Sequence, residues 1–178
     1  KNKQIIKLSL NSKNYLLEIP LIGYFQIKNL LMAVLAASFC GIDIYKILKN
    51  LNKIKAVPGR LECIKKLYNN YIILDFAHTP EALEQSLISL KKQFNKVFLL
   101  VFGCGGDRDK KKRTIMGSIA KKYCRKIFVT DDNPRNEDPK KIRQDVIKDC
   151  KDIAENIADR KQAIKSGIME LRKNEILL

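Results

Sequence analysis

The chain has 178 residues, of which 46% are hydrophobic; this suits one domain, or one domain and part of another, and excludes a disordered chain. No uninterrupted apolar run approaches the ~20 residues that cross a bilayer, and the first residues lack the apolar centre of an export signal. A net charge of +16, from 35 Lys and Arg against 19 Asp and Glu, favours anionic partners, although a lysine-rich bias over a solvated surface explains it equally well. Five widely spaced cysteines and one histidine do not form a metal-binding pattern and predict reduced thiols in a cytoplasmic protein.

The first third of the chain predicts a hairpin followed by two helices. Residues 3–10 and 14–22 are β-rich runs, and we expect them to pair at the edge of a sheet. Residues 26–40 are apolar at helical spacing and predict a mostly buried helix. A second helix is expected over about 44–51, and the adjacent Pro and Gly at 58–59 predict a domain boundary.

After residue 60, short strands alternate with amphipathic helices. This alternation predicts βαβ units and an α/β fold with a mainly parallel sheet covered by helices on both faces. Thr79-Pro80 and Asp138-Pro139 each place an N-cap side chain before a proline that opens a helix. We predict strands over 61–67, 71–75, 97–102, 126–130 and 175–178, and helices over 80–93, 110–122, 138–149 and 159–172.

Three polar loops follow three of these strands, at 75–80, 103–109 and 130–136. Because ligands gather at the carboxyl ends of parallel strands, we expect the loops to meet there. The glycines of 103–109 allow backbone N–H groups to approach an anion, and Arg108, flanked by Asp107 and Asp109, is suited to a planar carboxylate. A surface salt-bridge cluster explains this loop equally well, and the chain contains no Walker P-loop pattern.

The other two loops carry the remaining candidate residues. Asp132, Asn133 and Arg135 combine acceptors, donors and a guanidinium, as a zwitterionic amino acid requires, although Asn-Pro and Asp-Asn are also common turn dipeptides. His78 is the only histidine and is interpreted as structural or as a neutral hydrogen-bond partner of a ligand. Asp75, at a strand end, accepts hydrogen bonds either from a ligand hydroxyl or from its own turn. No catalytic residue can be assigned from these patterns.

Five linked segments together resemble the Mur ligase family, most closely its diaminopimelate-adding members. They are GYFQIKN at 23–29, PGRLE at 58–62, DFAHTPEAL at 75–83, GCGGDRDK at 103–110 and DNPR at 132–135. The resemblance covers nearly the whole chain. It implies that residues 1–58 are the hairpin and helical end of a central ATP-binding domain. It also implies that residues 59–178 are a Rossmann-like C-terminal domain that binds the amino acid.

The resemblance also implies ligands and residue roles. Gln26 and Asn29 would lie on the adenine side of ATP, Arg60 near the phosphates, and Asp75 and His78 on the nucleotide. Arg108, Asn133 and Arg135 would bind meso-diaminopimelate, and Asp132 would support them. ATP and Mg²⁺ are the implied cofactors, with no metal ligand in this part of the chain, and the acceptor is UDP-N-acetylmuramoyl-L-alanyl-D-glutamate.

The resemblance predicts ATP-dependent amide formation through an acyl phosphate, by a monomer. Since the chain lacks the P-loop, we expect it to be a fragment that is inactive by itself. A lysine-adding ligase and a folylpolyglutamate synthetase-like ligase are the alternatives, and the DNPR and GCGGDRD loops argue against both. A basic nucleic-acid-binding α/β module is more remote, because only Tyr68 and Tyr71 interleave with basic residues around the first strands.

Overall fold

The computed structural model describes residues 3–178. Contacts divide the chain into two compact units, Lys1–Glu62 and Cys63–Leu178. The family-derived assignment of these regions to two ligase domains stays a prediction. Within residues 3–178, every helix is too short or too polar to cross a membrane.

A two-stranded hairpin opens the first unit. Strands β1 (Gln4–Leu10) and β2 (Lys13–Ile19) are antiparallel, with Leu10 opposite Lys13. Asn11 and Ser12 form the turn with φ of 47° and 61°, the left-handed conformation that matches the twist of paired strands. The hairpin prediction is confirmed. Among the described residues these two strands form a sheet of their own, and their predicted place at the edge of a sheet stays a prediction.

Two helices pack on this hairpin. Helix α1 (Tyr24–Phe39) and helix α2 (Ile44–Asn50) are followed by a short 3-10 turn, Leu51–Lys53. The prediction that the first helix is mostly buried is wrong, because Met32 is 68% and Phe39 90% exposed. The helix carries apolar residues on more than one face, and only one face packs into the hairpin core. The buried members of that core are Ile19, Leu21, Ile27, Val34, Leu48 and Leu51.

The second unit is an α/β layer structure around a six-stranded sheet. The sheet order is β3-β4-β8-β5-β6-β7, and the pairs β4/β8, β8/β5, β5/β6 and β6/β7 are all parallel. The predicted mainly parallel α/β fold is therefore confirmed. Its elements are β3 (Glu62–Leu67), β4 (Asn70–Leu74), α3 (Pro80–Phe94), β5 (Val97–Phe102), α4 (Lys111–Tyr123), β6 (Cys124–Val129), α5 (Pro139–Ile147), β7 (Ala154–Asn156), α6 (Arg160–Met169) and β8 (Glu175–Leu177).

The predicted helix starts in this unit are confirmed by their capping hydrogen bonds. The Thr79 side chain accepts from the Ala82 amide at 3.2 Å, and the Asp138 carboxylate accepts from the Lys140 amide at 2.9 Å. Strand β7 was not predicted from the sequence, because its three residues are Ala, Glu and Asn, which give no β pattern. The parallel arrangement brings the carboxyl ends of β4, β5, β6 and β8 to one edge of the sheet, where the loops that lead into the helices lie.

Candidate functional site

A cleft of about 620 Å³ lies at this carboxyl edge. Its lining includes residues from all three polar loops, together with Leu178 just after β8. The expectation that these loops meet is thus correct. The lining residues singled out by the sequence are Asp75, His78, Arg108, Asp132, Asn133 and Arg135.

The glycine loop packs directly on the loop that contains the DNPR residues. The Gly106 amide donates to the Asn133 carbonyl oxygen at 2.9 Å. A Cβ atom at Gly103 would lie 2.3 Å from the Thr130 carbonyl oxygen, and one at Gly106 would lie 1.9 Å from that of Pro134. These glycines therefore allow two backbone segments to approach each other, a structural reason for the GxGG pattern besides anion binding.

Arg135 is held against the glycine loop. Its Nη1 donates to the Gly106 carbonyl oxygen at 2.6 Å, and its backbone is left-handed with φ 49°. The local turn is stabilised by the Asn133 side chain, which accepts from the Arg135 amide at 3.3 Å, and by Asp132, which accepts from the Asn133 amide at 2.8 Å. The turn interpretation and the ligand-binding interpretation are thus compatible, because residues that build the turn also line the cleft.

Arg108 lines the cleft, but the aspartates beside it point to other partners. Asp107 accepts from the Asn136 side chain at 2.9 Å, and Asp109 accepts from the Lys111 amide at 2.9 Å. Among residues 3–178, no carboxylate lies within 4 Å of the Arg108 guanidinium. Neither aspartate pairs with Arg108, so the salt-bridge cluster considered from the sequence does not form around it.

Glu137, which was not predicted as a site residue, connects the two loops. Its Oε1 accepts from the Asp107 amide and from Arg113 Nη2, each at 2.7 Å. The hydrogen bond from Arg113, followed by that from Asp107, lowers the pKa of the Glu137 carboxyl to about 2. Arg113 is 1% exposed and also donates to Asp145 at 3.0 Å. The sequence signal for this interaction was a charged residue, Arg113, that falls on the same helix face of α4 as Gly117, four residues later.

Two further arginines fix the other side of the DNPR loop. Arg143, on α5, is buried and ion-paired with Asp131, and its Nε donates to Asn156 at 2.6 Å. Arg160, at the start of α6, lines the cleft and donates through Nε to the Asp131 carbonyl oxygen at 3.1 Å. Both belong to helices far along the chain, so no local pattern indicated them.

The loop after β4 forms the remaining wall. Asp75 Oδ2 accepts from Ser86 Oγ at 2.5 Å. Nδ1 of His78 lies 3.0 Å from the Phe76 carbonyl oxygen; because a carbonyl only accepts, Nδ1 carries the proton, and Nε2 of the exposed ring is available to a ligand. Lys112 Nζ donates to the His78 carbonyl oxygen at 3.0 Å, which joins this loop to the start of α4.

The other predicted nucleotide residues belong to the first unit. Gln26 is 8% exposed, and its Nε2 donates to the Arg60 carbonyl oxygen at 3.0 Å. Asn29 follows one turn later on α1 and is exposed. Gln26 thus fixes the backbone at Arg60, while the binding roles of these three residues stay predictions.

The described residues do not form a metal site by themselves. Across residues 3–178, no group of three His, Cys, Asp or Glu side chains is placed to hold an ion. Cys104 in the glycine loop is buried against Met116, with its Sγ 3.8 Å from the Met116 Sδ. Burial raises the pKa of its thiol to about 11, which suits packing rather than nucleophilic chemistry.

The sequence of this α/β region matches a known family of ligase domains. Residues 59–178 match the family described as Mur ligase, glutamate ligase domain. The chain belongs to the Mur ligase family.

Relatives with similar sequences include diaminopimelate ligases. The chain is 45% identical to UDP-N-acetylmuramoyl-L-alanyl-D-glutamate–2,6-diaminopimelate ligase of Rickettsia montanensis, over 98% of this chain and 36% of that protein. The enzyme of the same name from Alkaliphilus oremlandii is 40% identical over 94% of this chain and 35% of its own length. The chain therefore spans about a third of the curated relatives it matches.

Solved structures agree at the level of the fold. A structure of a UDP-N-acetylmuramoyl-L-alanyl-D-glutamate–2,6-diaminopimelate ligase is 34% identical with a TM-score of 0.67, over 97% of this chain and 36% of that one. A folylpolyglutamate synthase of Mycobacterium tuberculosis reaches a TM-score of 0.78 at 18% identity, over 99% of this chain and 42% of that one. The second likeness shows only that the two proteins share a fold.

Proposed function

We propose that this chain is the amino-acid-binding part of an ATP-dependent ligase that adds meso-diaminopimelate to UDP-N-acetylmuramoyl-L-alanyl-D-glutamate. Residues 1–58 would end the central ATP-binding domain, and residues 59–178 would belong to the C-terminal ligase domain. The names of the relatives support this substrate pair. The family match over residues 59–178 supports the assignment of the second region.

The observation that carries the proposal is the pair of guanidiniums in the cleft, Arg108 and Arg135. A guanidinium binds a carboxylate through two parallel hydrogen bonds. Diaminopimelate has two carboxylates, whereas lysine has one. Arg135 Nη1 is already bonded to Gly106, so the guanidinium is oriented before the ligand arrives and little further ordering is needed. Asp132 and Asn133 supply acceptors for the ammonium groups.

The nucleotide would contact the residues that the family resemblance implies. Gln26 and Asn29 would lie towards the adenine, and Arg60 towards the phosphates. Asp75 and His78 would complete the nucleotide contacts, with His78 Nε2 able to accept a hydrogen bond. Mg²⁺ is expected with ATP, but the described residues form no cluster for it, and we assign it to none of them.

In the proposed reaction, the D-glutamyl carboxylate is phosphorylated by ATP, and the amine of diaminopimelate then attacks the acyl carbon. The C–N bond forms first and gives a tetrahedral intermediate. The C–O bond to phosphate then breaks, inorganic phosphate leaves, and the amine nitrogen loses a proton to solvent. The chain's own residues hold the amino acid and orient its amine. No Ser or Cys nucleophile is required, which fits a buried Cys104 with a raised thiol pKa.

A chimera tests this proposal directly. This chain would replace the matching region of the Rickettsia montanensis enzyme, and phosphate release would be measured with ATP, the UDP-linked dipeptide and either meso-diaminopimelate or L-lysine. We expect activity with diaminopimelate alone. Activity with lysine would contradict the assignment of Arg135, and the 178 residues alone are expected to release no phosphate.

Arg135→Ala is the decisive variant, and Arg172→Ala is its matched control. Arg172 is exposed just before β8, towards the amino ends of the parallel strands and outside the cleft lining. We expect Arg135→Ala to weaken diaminopimelate use by at least tenfold, since a hydrogen bond to a charged group contributes ~1.5–3 kcal/mol. The chimera with Arg172→Ala should use diaminopimelate as well as the unmodified chimera does. Calorimetric titration of diaminopimelate into the 178-residue chain, with the same two variants, measures binding without the chimeric junctions.

A further inference from the structure

The cleft contains more positive charge than the proposed amino acid can neutralise. Its lining includes four cationic side chains, Arg108, Lys112, Arg135 and Arg160, and two carboxylates, Asp75 and Asp132. The cleft therefore has an excess of two positive charges. Diaminopimelate carries two carboxylates and two ammonium groups at neutral pH, so its binding leaves this excess unchanged.

Lys112 is the cation best placed to hold a further anion. Its Nζ donates to the His78 carbonyl oxygen at 3.0 Å, which is a neutral partner. Among residues 3–178, no carboxylate lies within 4 Å of this ammonium. Arg160 differs, because its Nη2 lies 3.8 Å from an Asp132 carboxylate oxygen. Lys112 thus brings an uncompensated charge to the cleft.

Lys112 differs from the adjacent lysines, Lys110 and Lys111, because it lines the cleft. Lys110 lies 3.5 Å from Glu137, and Lys111 is exposed outside the cleft lining. Lys112 instead reaches from the first turn of α4 to the loop after β4. It therefore lies between the glycine loop, which carries Arg108, and the loop of Asp75 and His78.

The chemistry of the cations distinguishes their ligands. Arg108 and Arg135 present planar guanidiniums, which match carboxylates geometrically. The lysine ammonium is a compact point charge that suits a phosphoryl group without fixed geometry. A phosphoryl group also carries two negative charges, which would balance the excess of two positive charges in the cleft lining.

We infer that Lys112 forms a phosphoryl-binding point in the cleft, next to the amino-acid-binding arginines. This inference rests on the proposed function, in which the phosphoryl group is that of the acyl phosphate or the phosphate it releases. Lys112 holds this group on the side of the cleft formed by the loop after β4. The leaving phosphate and the incoming amine then occupy neighbouring parts of one cleft.

The test uses the 178-residue chain with inorganic phosphate as the probe, titrated at constant ionic strength and followed by amide chemical shifts. We compare the unmodified chain with Lys112→Gln, Lys112→Arg and the matched control Lys111→Gln. The inference predicts saturable binding, a dissociation constant raised about tenfold by Lys112→Gln, and little change in Lys112→Arg or Lys111→Gln. A single charge-assisted hydrogen bond accounts for a change of this size. ATP as a second probe separates a site for free or acyl phosphate from one for nucleotide phosphates.

Absence of saturable phosphate binding, or an equal loss in Lys111→Gln, would overturn the inference. Tighter binding of ATP than of phosphate, with the same dependence on Lys112, would also overturn it and assign the lysine to the nucleotide. Titration of meso-diaminopimelate into the same variants separates this inference from the proposed function. If Lys112→Gln weakens diaminopimelate instead of phosphate, Lys112 is a carboxylate ligand and only the inference fails. If no variant binds diaminopimelate while the phosphate effect is present, the proposed substrate fails and the phosphoryl point stands.

Discussion

Replacing Gly106 by alanine tests whether close backbone packing of two loops builds the cleft. The added Cβ would lie 1.9 Å from the Pro134 carbonyl oxygen and 2.7 Å from its carbon. Both atoms belong to the backbone, so no side-chain rotation relieves the overlap. Ordinary contact begins at 3.4 Å, and the two loops must therefore separate by about 1.5 Å.

The loss in free energy of unfolding is estimated from the two hydrogen bonds that join the loops at Gly106. They are the bond from the Gly106 amide to Asn133 at 2.9 Å and the bond from Arg135 to the Gly106 carbonyl oxygen at 2.6 Å. A neutral bond contributes ~0.5–1.5 kcal/mol and one to a charged group ~1.5–3 kcal/mol. The alanine recovers ~0.4–1 kcal/mol by restricting the unfolded chain. Loss of both bonds thus lowers the free energy of unfolding by about 2.5 kcal/mol.

Gly105→Ala is the matched control in the same loop. Its added Cβ would meet Arg135 Nη1 at 3.0 Å, the end of a side chain that can move by a few tenths of an ångström. Thermal unfolding of the 178-residue chain is the assay. With roughly 4 °C for each kcal/mol, Gly106→Ala should lower the midpoint of the second unit by about 10 °C, and Gly105→Ala by a small fraction of this.

Equal unfolding midpoints for the two variants would refute the reasoning, because of these two glycines only Gly106 would bring its added Cβ within 3 Å of a backbone carbonyl oxygen. The binding of diaminopimelate gives a second readout. Arg135 takes its orientation from the Gly106 carbonyl oxygen, so Gly106→Ala should weaken binding even at temperatures where the variant is folded.

Two further predictions concern titratable groups. Hydrogen bonds from Arg113 and the Asp107 amide lower the pKa of Glu137 from 4.5 to about 2. The stabilisation by the Glu137 carboxylate is therefore fully present above pH 4.5 and is lost as the pH falls towards 2. In urea denaturation, the difference in free energy of unfolding between the unmodified chain and Glu137→Gln should shrink between pH 5 and pH 3. Because burial raises the pKa of the Cys104 thiol to about 11, iodoacetamide at pH 8 should label exposed Cys40 in the folded chain and reach Cys104 only after unfolding, as mass spectrometry would show.

Glu81→Gln, at an exposed position in the first turn of α3, should produce no comparable pH-dependent difference. A Glu137→Gln difference that stays constant from pH 7 to pH 3 would show that the carboxylate charge is not what stabilises the loops. Labelling of Cys104 as fast as Cys40 would show that the glycine loop opens readily.

The local pattern of the sequence was enough to predict most of the elements and the position of the site. Strand and helix periodicities repeat within a few residues, and caps such as Thr79 and Asp138 act on amides two or three positions away. Because parallel strands end at one edge of a sheet, the polar loops after three strands were expected to meet there. The motifs that resemble the Mur ligase family added roles for individual residues, which no local pattern supplies.

The tertiary structure decided what depends on contacts between distant residues. Helix α1 is apolar on several faces, and only packing against the hairpin determined which face is buried. Strand β8 lies between β4 and β5, a placement that its three residues do not encode. Glu137 and Arg113 are 24 positions apart, and Lys112 meets His78 across 34 positions. Such pairings arise from the packing of helices on a shared sheet, so the charge and rigidity of the cleft became visible only in the folded chain.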